Sequence, residues 1–153
     1  MTSAVRPDYM ELALSEARAA ARRGEVPVGA VVVAPDGRIV DSAGNMTRAT
    51  TDPTAHAEIV AIRRACARLG IDRLTGFDLY VTLEPCPMCA AAVSFARIRR
   101  LYYGAADPKG GGVVHGARVF SHPTCHHVPE IYDGIGEAEA SALLKSFFAE
   151  KRE

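Results

Sequence analysis

The sequence carries one imidazole, one carboxylate and two thiols in a spacing that can build a metal site. His56 and Glu58 belong to one His-Ala-Glu run, and Cys86 and Cys89 belong to one Pro-Cys-Pro-Met-Cys run. A structural zinc is normally held by four protein ligands, whereas a catalytic zinc keeps three and leaves one position for water. His56, Cys86 and Cys89 make three ligands. Glu58 is poorly placed to be the fourth, so we expect it to carry protons beside the bound water.

Each half of this pattern has a simpler explanation when it is taken alone. A C-x-x-C run in an intracellular protein is also typical of a redox pair, and an H-x-E tripeptide often occurs by chance. Together the two halves resemble the signature of zinc-dependent nucleobase deaminases, H-x-E followed by P-C-x-x-C. This resemblance favours a catalytic zinc over a redox pair or a structural zinc.

Local patterns place the first half near the N-terminus of a helix. Asp52-Pro53-Thr54 predicts a helix start, because Asp caps free N–H groups and Pro tolerates the first helical position. We therefore predict a helix over Thr54–Leu69, with His56 and Glu58 in its first turns.

The two cysteines follow a predicted strand. An apolar run over Phe77–Leu83 leads to Cys86, and a second helix is predicted over Pro87–Ala96. The partial positive charge at a helix N-terminus stabilises a thiolate. Both groups of ligands are therefore predicted where the backbone favours negative charge.

The remaining patterns predict a single three-layer α/β domain over residues 1–153. The further elements are an Ala-rich helix over Asp8–Arg22, strands over Val28–Val33 and Ile39–Ser42 joined by a Pro-Asp-Gly turn, a strand over Arg100–Tyr103 and a helix over Glu137–Lys151. Strands that alternate with helices favour partly parallel pairing. The segment Gly104–Pro129 is rich in Gly, Pro and His, and is predicted to be mostly loop.

The composition agrees with one globular domain. The chain has 153 residues, of which 48% are hydrophobic and 24% are charged. No apolar run is long enough to span a bilayer and no leader pattern opens the chain, so we expect a cytoplasmic protein without a membrane partner. Lys+Arg and Asp+Glu number 18 each, so the formal charge is zero and long-range attraction to nucleic acid is weak.

Beyond the metal motifs, the chain resembles bacterial tRNA adenosine deaminases over nearly its whole length. The matching segments, in chain order, are Pro27 to Ala30, Asn45, Asp52 to Glu58, Thr82 to Ala90, Arg97 to Arg100 and Gly104 to Gly110. The zinc motifs alone indicate only the wider cytidine-deaminase-like superfamily. The Gly104–Gly110 stretch and the aromatic and basic final helix narrow the resemblance to the enzymes that act on tRNA.

The resemblance implies a cytidine-deaminase-like fold, which is a three-layer α/β/α sandwich with a mixed central sheet. It also implies a homodimer with one zinc ion per chain. The implied reaction is hydrolytic deamination of adenosine to inosine at the wobble position of a tRNA anticodon loop, with release of ammonia. The anticodon stem-loop of a tRNA is thus the implied partner.

The resemblance further implies roles for individual residues. These are zinc ligation by His56, Cys86 and Cys89, acid–base catalysis by Glu58, a base contact by Asn45, and contact with the anticodon loop by Asp107 and Lys109. On local pattern alone we would favour a turn residue at Asn45 and solvated loop charges at Asp107 and Lys109. At the end of the final helix, Lys151 and the following Arg152 are expected to touch phosphates. Within that helix, at least one of Phe147 and Phe148 is expected to pack in the core.

One segment departs from the commoner bacterial pattern. His126 and His127 precede Val128 and Pro129, where an Asn-His pair followed by a basic residue is usual. A second metal site built from Cys125, His126 and His127 would require adjacent residues to converge on one ion, which is rare.

Two other functions stay open on the sequence. A small-molecule deaminase acting on cytosine, cytidine or guanine would share the metal chemistry and would differ only in its pocket and loops. A non-catalytic RNA-binding or structural zinc module is disfavoured by Glu58, because such a module has no use for an unliganded carboxylate at this position.

Overall fold

The structure, a computed structural model, describes residues 8–151, without the side chain of Lys151. Within that range it has four α-helices, five strands and one short 3-10 turn at Val119–Ser121. In chain order these are α1 (Tyr9–Arg22), β1 (Gly29–Val33), β2 (Ile39–Gly44), α2 (Ala57–Leu69), β3 (Asp78–Leu83), α3 (Pro87–Phe95), β4 (Arg100–Ala105), β5 (Glu130–Tyr132) and α4 (Glu137–Lys151).

The strands form one mixed sheet in the order β2-β1-β3-β4-β5. β1 is antiparallel to both β2 and β3, whereas β3, β4 and β5 are parallel. The prediction of partly parallel pairing is therefore confirmed. β5 was not predicted, because its three residues Glu130–Tyr132 are all exposed at the sheet edge and carry no alternating apolar pattern.

Helices cover both faces of the sheet. Alternate residues of the buried strand β1 point to opposite faces, as the period of two requires. Val32 belongs to the core under α2 and α3, while Val31 and Val33 belong to the core under α1 and α4. The predicted three-layer α/β/α sandwich is confirmed.

The predicted start of α2 was wrong by three residues. Asp52 Oδ1 accepts hydrogen bonds from the backbone N–H and the hydroxyl of Thr54, and Ala55 N donates to Asp52 O. These bonds close a turn before the helix, so Asp52 caps the turn and not α2. His56 is the N-cap of α2, and Glu58 is its second residue.

The other helix predictions hold closely. α1 begins after Asp8, whose carboxylate accepts from Glu11 N as an N-cap should, and α4 spans the predicted Glu137–Lys151. α3 ends one residue before the predicted Ala96. No helix within residues 8–151 has the length and apolar character that crossing a membrane requires.

Candidate metal centre and substrate cleft

Three side chains from two helix starts converge on one point. His56 Nδ1 lies 3.6 Å from Cys86 Sγ and 3.5 Å from Cys89 Sγ. Cys86 is the N-cap of α3, and Cys89 lies in the first turn of that helix. Among the described residues, the ligand atoms of His56, Cys86 and Cys89 form the one group of His, Cys, Asp or Glu that could hold a metal ion, all within 4.8 Å of one another.

The donor set fits zinc. One imidazole and two thiols are ligands that zinc accepts, and three protein ligands leave a coordination position open, as catalytic zinc sites do. Both helix N-termini point their partial positive charge at the cluster, which favours the thiolate form that binds metal.

The two thiols differ in acidity. The hydrogen bond from Cys89, followed by that of His56, lowers the pKa of Cys86 to about 4. The pKa of Cys89 is raised, because it donates to Cys86 and is buried. A bound cation favours ionisation of coordinating thiols.

Glu58 is buried beside this cluster and is not one of its three members. Burial raises the pKa of Glu58 to about 6, and a hydrogen bond with Cys89 acts in the opposite direction. The carboxyl group thus lies next to the ligands and is not one of the three.

Asn45 lies next to the chain that leads to His56. Asn45 follows β2. The backbone N–H of the next residue, Met46, donates to Ala55 O at 2.9 Å, and Ala55 immediately precedes His56. Asn45 is buried, its backbone N–H donates to Val28 O, and its side-chain amide donates to Thr47 Oγ1 at 3.4 Å. These bonds are those of a turn residue, and a contact between Asn45 and the base stays a prediction.

Glu25 holds the loop that follows Asn45, and sequence reasoning did not identify it. Its buried carboxylate accepts hydrogen bonds from Arg48 N, Ala49 N and Thr47 Oγ1. Burial alone would raise the pKa of Glu25, but these hydrogen bonds outweigh burial and lower it. The available signal was a lone acidic residue beside the apolar run Val26–Ala34.

Asp107 and Lys109 lie in the turn that follows β4. Asp107 Oδ1 accepts from Lys109 N and Gly110 N, and Asp107 O accepts from Gly111 N. Asp107 therefore caps its own turn, and its contact with the anticodon loop stays a prediction. The side chain of Lys109 is exposed.

This turn and the last helix enclose a cleft of about 800 Å³. Its lining includes Lys109 on one side, Lys145 and Phe148 of α4 on the other, and Leu83 at the end of β3. Phe148 is 45% exposed, and Phe147 is half-buried with its ring edge-on to that of Phe148 at 5.4 Å. Leu83, which lines the cleft, lies three residues before Cys86 in the chain.

Glu84 was also missed by sequence reasoning. It immediately precedes Pro85 and Cys86, and its side chain is wholly buried. Its carboxylate accepts hydrogen bonds from the loop after β4, and the nearest donor is His115 Nδ1 at 2.7 Å. A charged residue between an apolar strand and a cysteine motif was the only local signal.

Cys125 and His127 serve structure in the described part of the chain. Cys125 Sγ contacts Ser94 Oγ at 3.4 Å and His127 O at 3.3 Å, and His127 Nε2 lies 2.6 Å from Ile98 O. They fasten the loop to α3 and to the residues after it. The described residues contain no second metal cluster there.

Comparison with known proteins agrees with this site. Residues 4–105 match the family model of the cytidine and deoxycytidylate deaminase zinc-binding region. The chain is 63% identical over 149 residues to the tRNA-specific adenosine deaminase of Agrobacterium fabrum, covering 97% of each chain.

Solved structures place the chain in the same group. A structure from a study of A-to-I editing by tRNA:A34 deaminases superposes with a TM-score of 0.87 at 64% identity, covering 89% of this chain and 98% of that chain. A guanine deaminase from Nitrosomonas europaea has a TM-score of 0.81 at 22% identity, with coverage of 97% and 87%, and so shares the fold alone. The chain is a zinc-binding deaminase and belongs to the family of tRNA-specific adenosine deaminases.

Proposed function

We propose that this protein hydrolytically deaminates adenosine to inosine at the wobble position of a tRNA anticodon loop. The observation that carries this proposal is the cluster of His56, Cys86 and Cys89 with Glu58 buried beside it and outside the ligand set. Family membership supplies the RNA substrate, since the metal site alone would serve any nucleobase deaminase.

The roles of the site residues follow from their placement. His56, Cys86 and Cys89 would hold one zinc ion per chain. When bound, zinc acts as a Lewis acid that makes a water nucleophilic near neutral pH. Glu58 takes a proton from the attacking water and delivers it to N1 of the adenine while C6 becomes tetrahedral. Glu58 then takes the proton of the new C6 hydroxyl and passes it to the departing amine, so adenosine and water become inosine and ammonia.

Substrate recognition is proposed to be local, because the net charge of the chain is zero. The cleft offers cations at Lys109 and Lys145 for phosphates, and an exposed ring at Phe148 on which an unstacked base can lie. Asn45 is proposed to contact the base, and Asp107 to shape the turn that presents Lys109. The expected phosphate contacts of the Lys151 side chain and of Arg152 lie outside the described residues.

The protein is further proposed to be a homodimer. Phe95, at the end of α3, is 76% exposed. Beside it is a groove of about 410 Å³, lined partly by Ala91, Val119 and Cys125. A large exposed ring next to an apolar groove is typical of an interaction surface. Of the Ala90–Val93 run, Ala90 and Val93 pack in the core, which leaves the half-buried Ala91 and Ala92 for such a contact.

Two further expectations concern the extent of the domain and its location in the cell. Residues 1–153 are proposed to act as one deaminase domain. Because a tRNA is the proposed substrate, we expect the enzyme to work in the cytoplasm.

The decisive experiment measures inosine formation on an anticodon stem-loop with A at the wobble position. Free adenosine, cytidine and guanine are assayed in parallel, together with a stem-loop that carries G at the same position. We expect turnover of the wobble-A stem-loop alone. Efficient turnover of free cytidine or guanine, with the stem-loop left intact, would replace the proposal by a small-molecule deaminase.

A further inference from the structure

We propose that Glu84 is a positioning residue for RNA binding, acting through the loop of residues 106–115. This inference rests on the proposed function, because it assigns the loop a part in holding the RNA. Glu84 does not touch the cleft. It acts by fixing the backbone that presents Lys109 there.

The hydrogen bonds of the Glu84 carboxylate are numerous and all come from that loop. Oε1 accepts from Asp107 N at 3.0 Å and faces His115 Nδ1 at 2.7 Å. Oε2 accepts from three successive backbone N–H groups, those of Val113, Val114 and His115, at 3.0–3.1 Å. One carboxylate therefore binds both ends of the loop.

Glu84 and Pro85 lead directly to the metal ligand Cys86. Glu84 N donates to Ala105 O, and Gly112 N donates to Pro85 O, each at 2.8 Å. Cys86 is the next residue. The loop and the start of α3 are thus joined through one short stretch of chain, with Glu84 at its beginning.

Two glycines allow the loop of residues 106–115 to pack closely against the segment of residues 84–87. A Cβ at Gly111 would come within 2.5 Å of Glu84 Cδ, and a Cβ at Gly112 within 2.5 Å of Pro87 N. No side chain fits at either position without moving the carboxylate or the backbone of α3. The close approach shows that the loop is built around the Glu84 carboxylate.

Only a carboxylate satisfies this set of donors. An ionised carboxylate accepts at both oxygens, whereas a glutamine amide would turn an NH₂ group towards some of the same donors. A buried N–H group that loses its partner is costly, so the loop would leave its position to reach water. Glu84→Gln removes one charge and almost no volume, and therefore tests the anchor itself.

Loss of the anchor should weaken RNA binding more than chemistry. Asp107 is held to Glu84 through its N–H and in turn caps the turn that carries Lys109. If the turn is released, RNA binding must order it again, which costs binding free energy. The ligand triad and Glu58 keep their own positions at the starts of α2 and α3.

The test compares wild type, Glu84→Gln and a charge-matched control, Glu139→Gln. Glu139 is exposed on α4 and pairs with Arg18. With the wobble-A stem-loop we expect KM of Glu84→Gln to rise roughly tenfold while kcat changes less than about threefold. Zinc content should stay at one ion per chain, and the control should match wild type. Amide hydrogen exchange should show lost protection at Asp107, Val113 and Val114 in Glu84→Gln alone.

A second variant reaches the same contact from the loop. Gly111→Ala inserts a Cβ against both the Glu84 carboxylate and Asp107 O, and should raise KM in the same way. Unchanged KM and unchanged amide protection in Glu84→Gln would overturn the inference. So would a loss of zinc or kcat with KM unchanged, which would place the effect at the metal site. If wild type ignores the stem-loop, the proposed function fails, while hydrogen exchange still decides whether Glu84 holds the loop.

Discussion

His56 Nδ1 lies 3.6 Å from Cys86 Sγ, and each residue is the N-cap of a different helix. The metal-binding geometry is therefore set by where α2 and α3 begin on the sheet. Neither helix start is closed by a side-chain cap in the structure, so the positive ends of both helices remain directed at the ligand cluster.

Cys86→Ser should lose most of its zinc and all measurable deamination. Serine keeps the shape of the side chain but replaces a soft thiolate by a poor zinc ligand. Metal analysis of the purified protein, with Cys66→Ser as the matched control, measures the effect. Full zinc retention in Cys86→Ser, or two tightly bound ions in wild type, would contradict the ligand assignment.

Glu58→Gln should separate chemistry from binding. The substitution keeps the size of the buried side chain and removes its ability to carry protons. We expect zinc content and stem-loop affinity near wild type, with a rate at least ~10²-fold lower, the usual scale for acid–base catalysis. If zinc disappears together with Glu58, the carboxylate is a ligand and the site is not an open one.

Lys109→Ala should weaken stem-loop binding and lower its salt dependence. Each phosphate contact of a single strand contributes a slope of roughly 0.7 in log K against log salt, and one in duplex roughly 0.9. When binding is measured from low to moderate salt, the slope for Lys109→Ala should be smaller than that of wild type by about this amount. Arg73→Ala is the control, since Arg73 is exposed before β3, at the opposite end of that strand from Cys86. An equal change in both variants would mean that the cleft has no special part in binding.

Glu25→Gln should reduce the acid sensitivity of folding. The pKa of Glu25 is lowered in the folded protein from its ordinary value of 4.5, because its hydrogen bonds with the 47–49 loop outweigh burial. Below 4.5 the unfolded chain binds more protons, so this contribution is present above that pH and is lost as pH falls through the folded pKa.

Denaturant unfolding of wild type and Glu25→Gln at a series of pH values measures the contribution of the Glu25 carboxylate to the free energy of unfolding. The difference in unfolding free energy should be largest near neutral pH and should shrink as pH falls below about 4.5. Glu139→Gln, on the surface, serves as the comparison. A difference that stays constant over the whole pH range would mean that the Glu25 carboxylate does not supply the stabilisation.

Phe95→Glu should give a monomer if α3 forms the proposed contact. The Phe95 side chain is 76% exposed, so a carboxylate in its place has little effect on the fold of one chain. The same carboxylate cannot be buried against a second copy of the chain without a cost in free energy. Sedimentation at micromolar concentration distinguishes the two states. A wild-type protein that is a stable monomer and still deaminates the stem-loop would remove the dimer from the proposal.

The sequence by itself determined the metal cluster and most of the elements around it. His56, Cys86 and Cys89 were identifiable because each ligand group is a short run with a strict spacing, and α1, α3 and α4 follow from local caps and apolar periodicity. The three-residue error at α2 has a local cause as well. Asp-Pro-Thr forms a capped turn as readily as a helix start, and the bonds of Asp52 to Thr54 and Ala55 select the turn.

Only the tertiary structure decided what the buried Glu25 and Glu84 do and where the cleft lies. The donors to Glu25 stand 22 to 24 residues along the chain, and those to Glu84 stand 23 to 31 residues along it. Lys109 and Phe148 meet across the cleft only because β4 and α4 pack together. Periodicity and capping describe neighbours in the chain, so contacts between distant loops follow from how the sheet orders its strands.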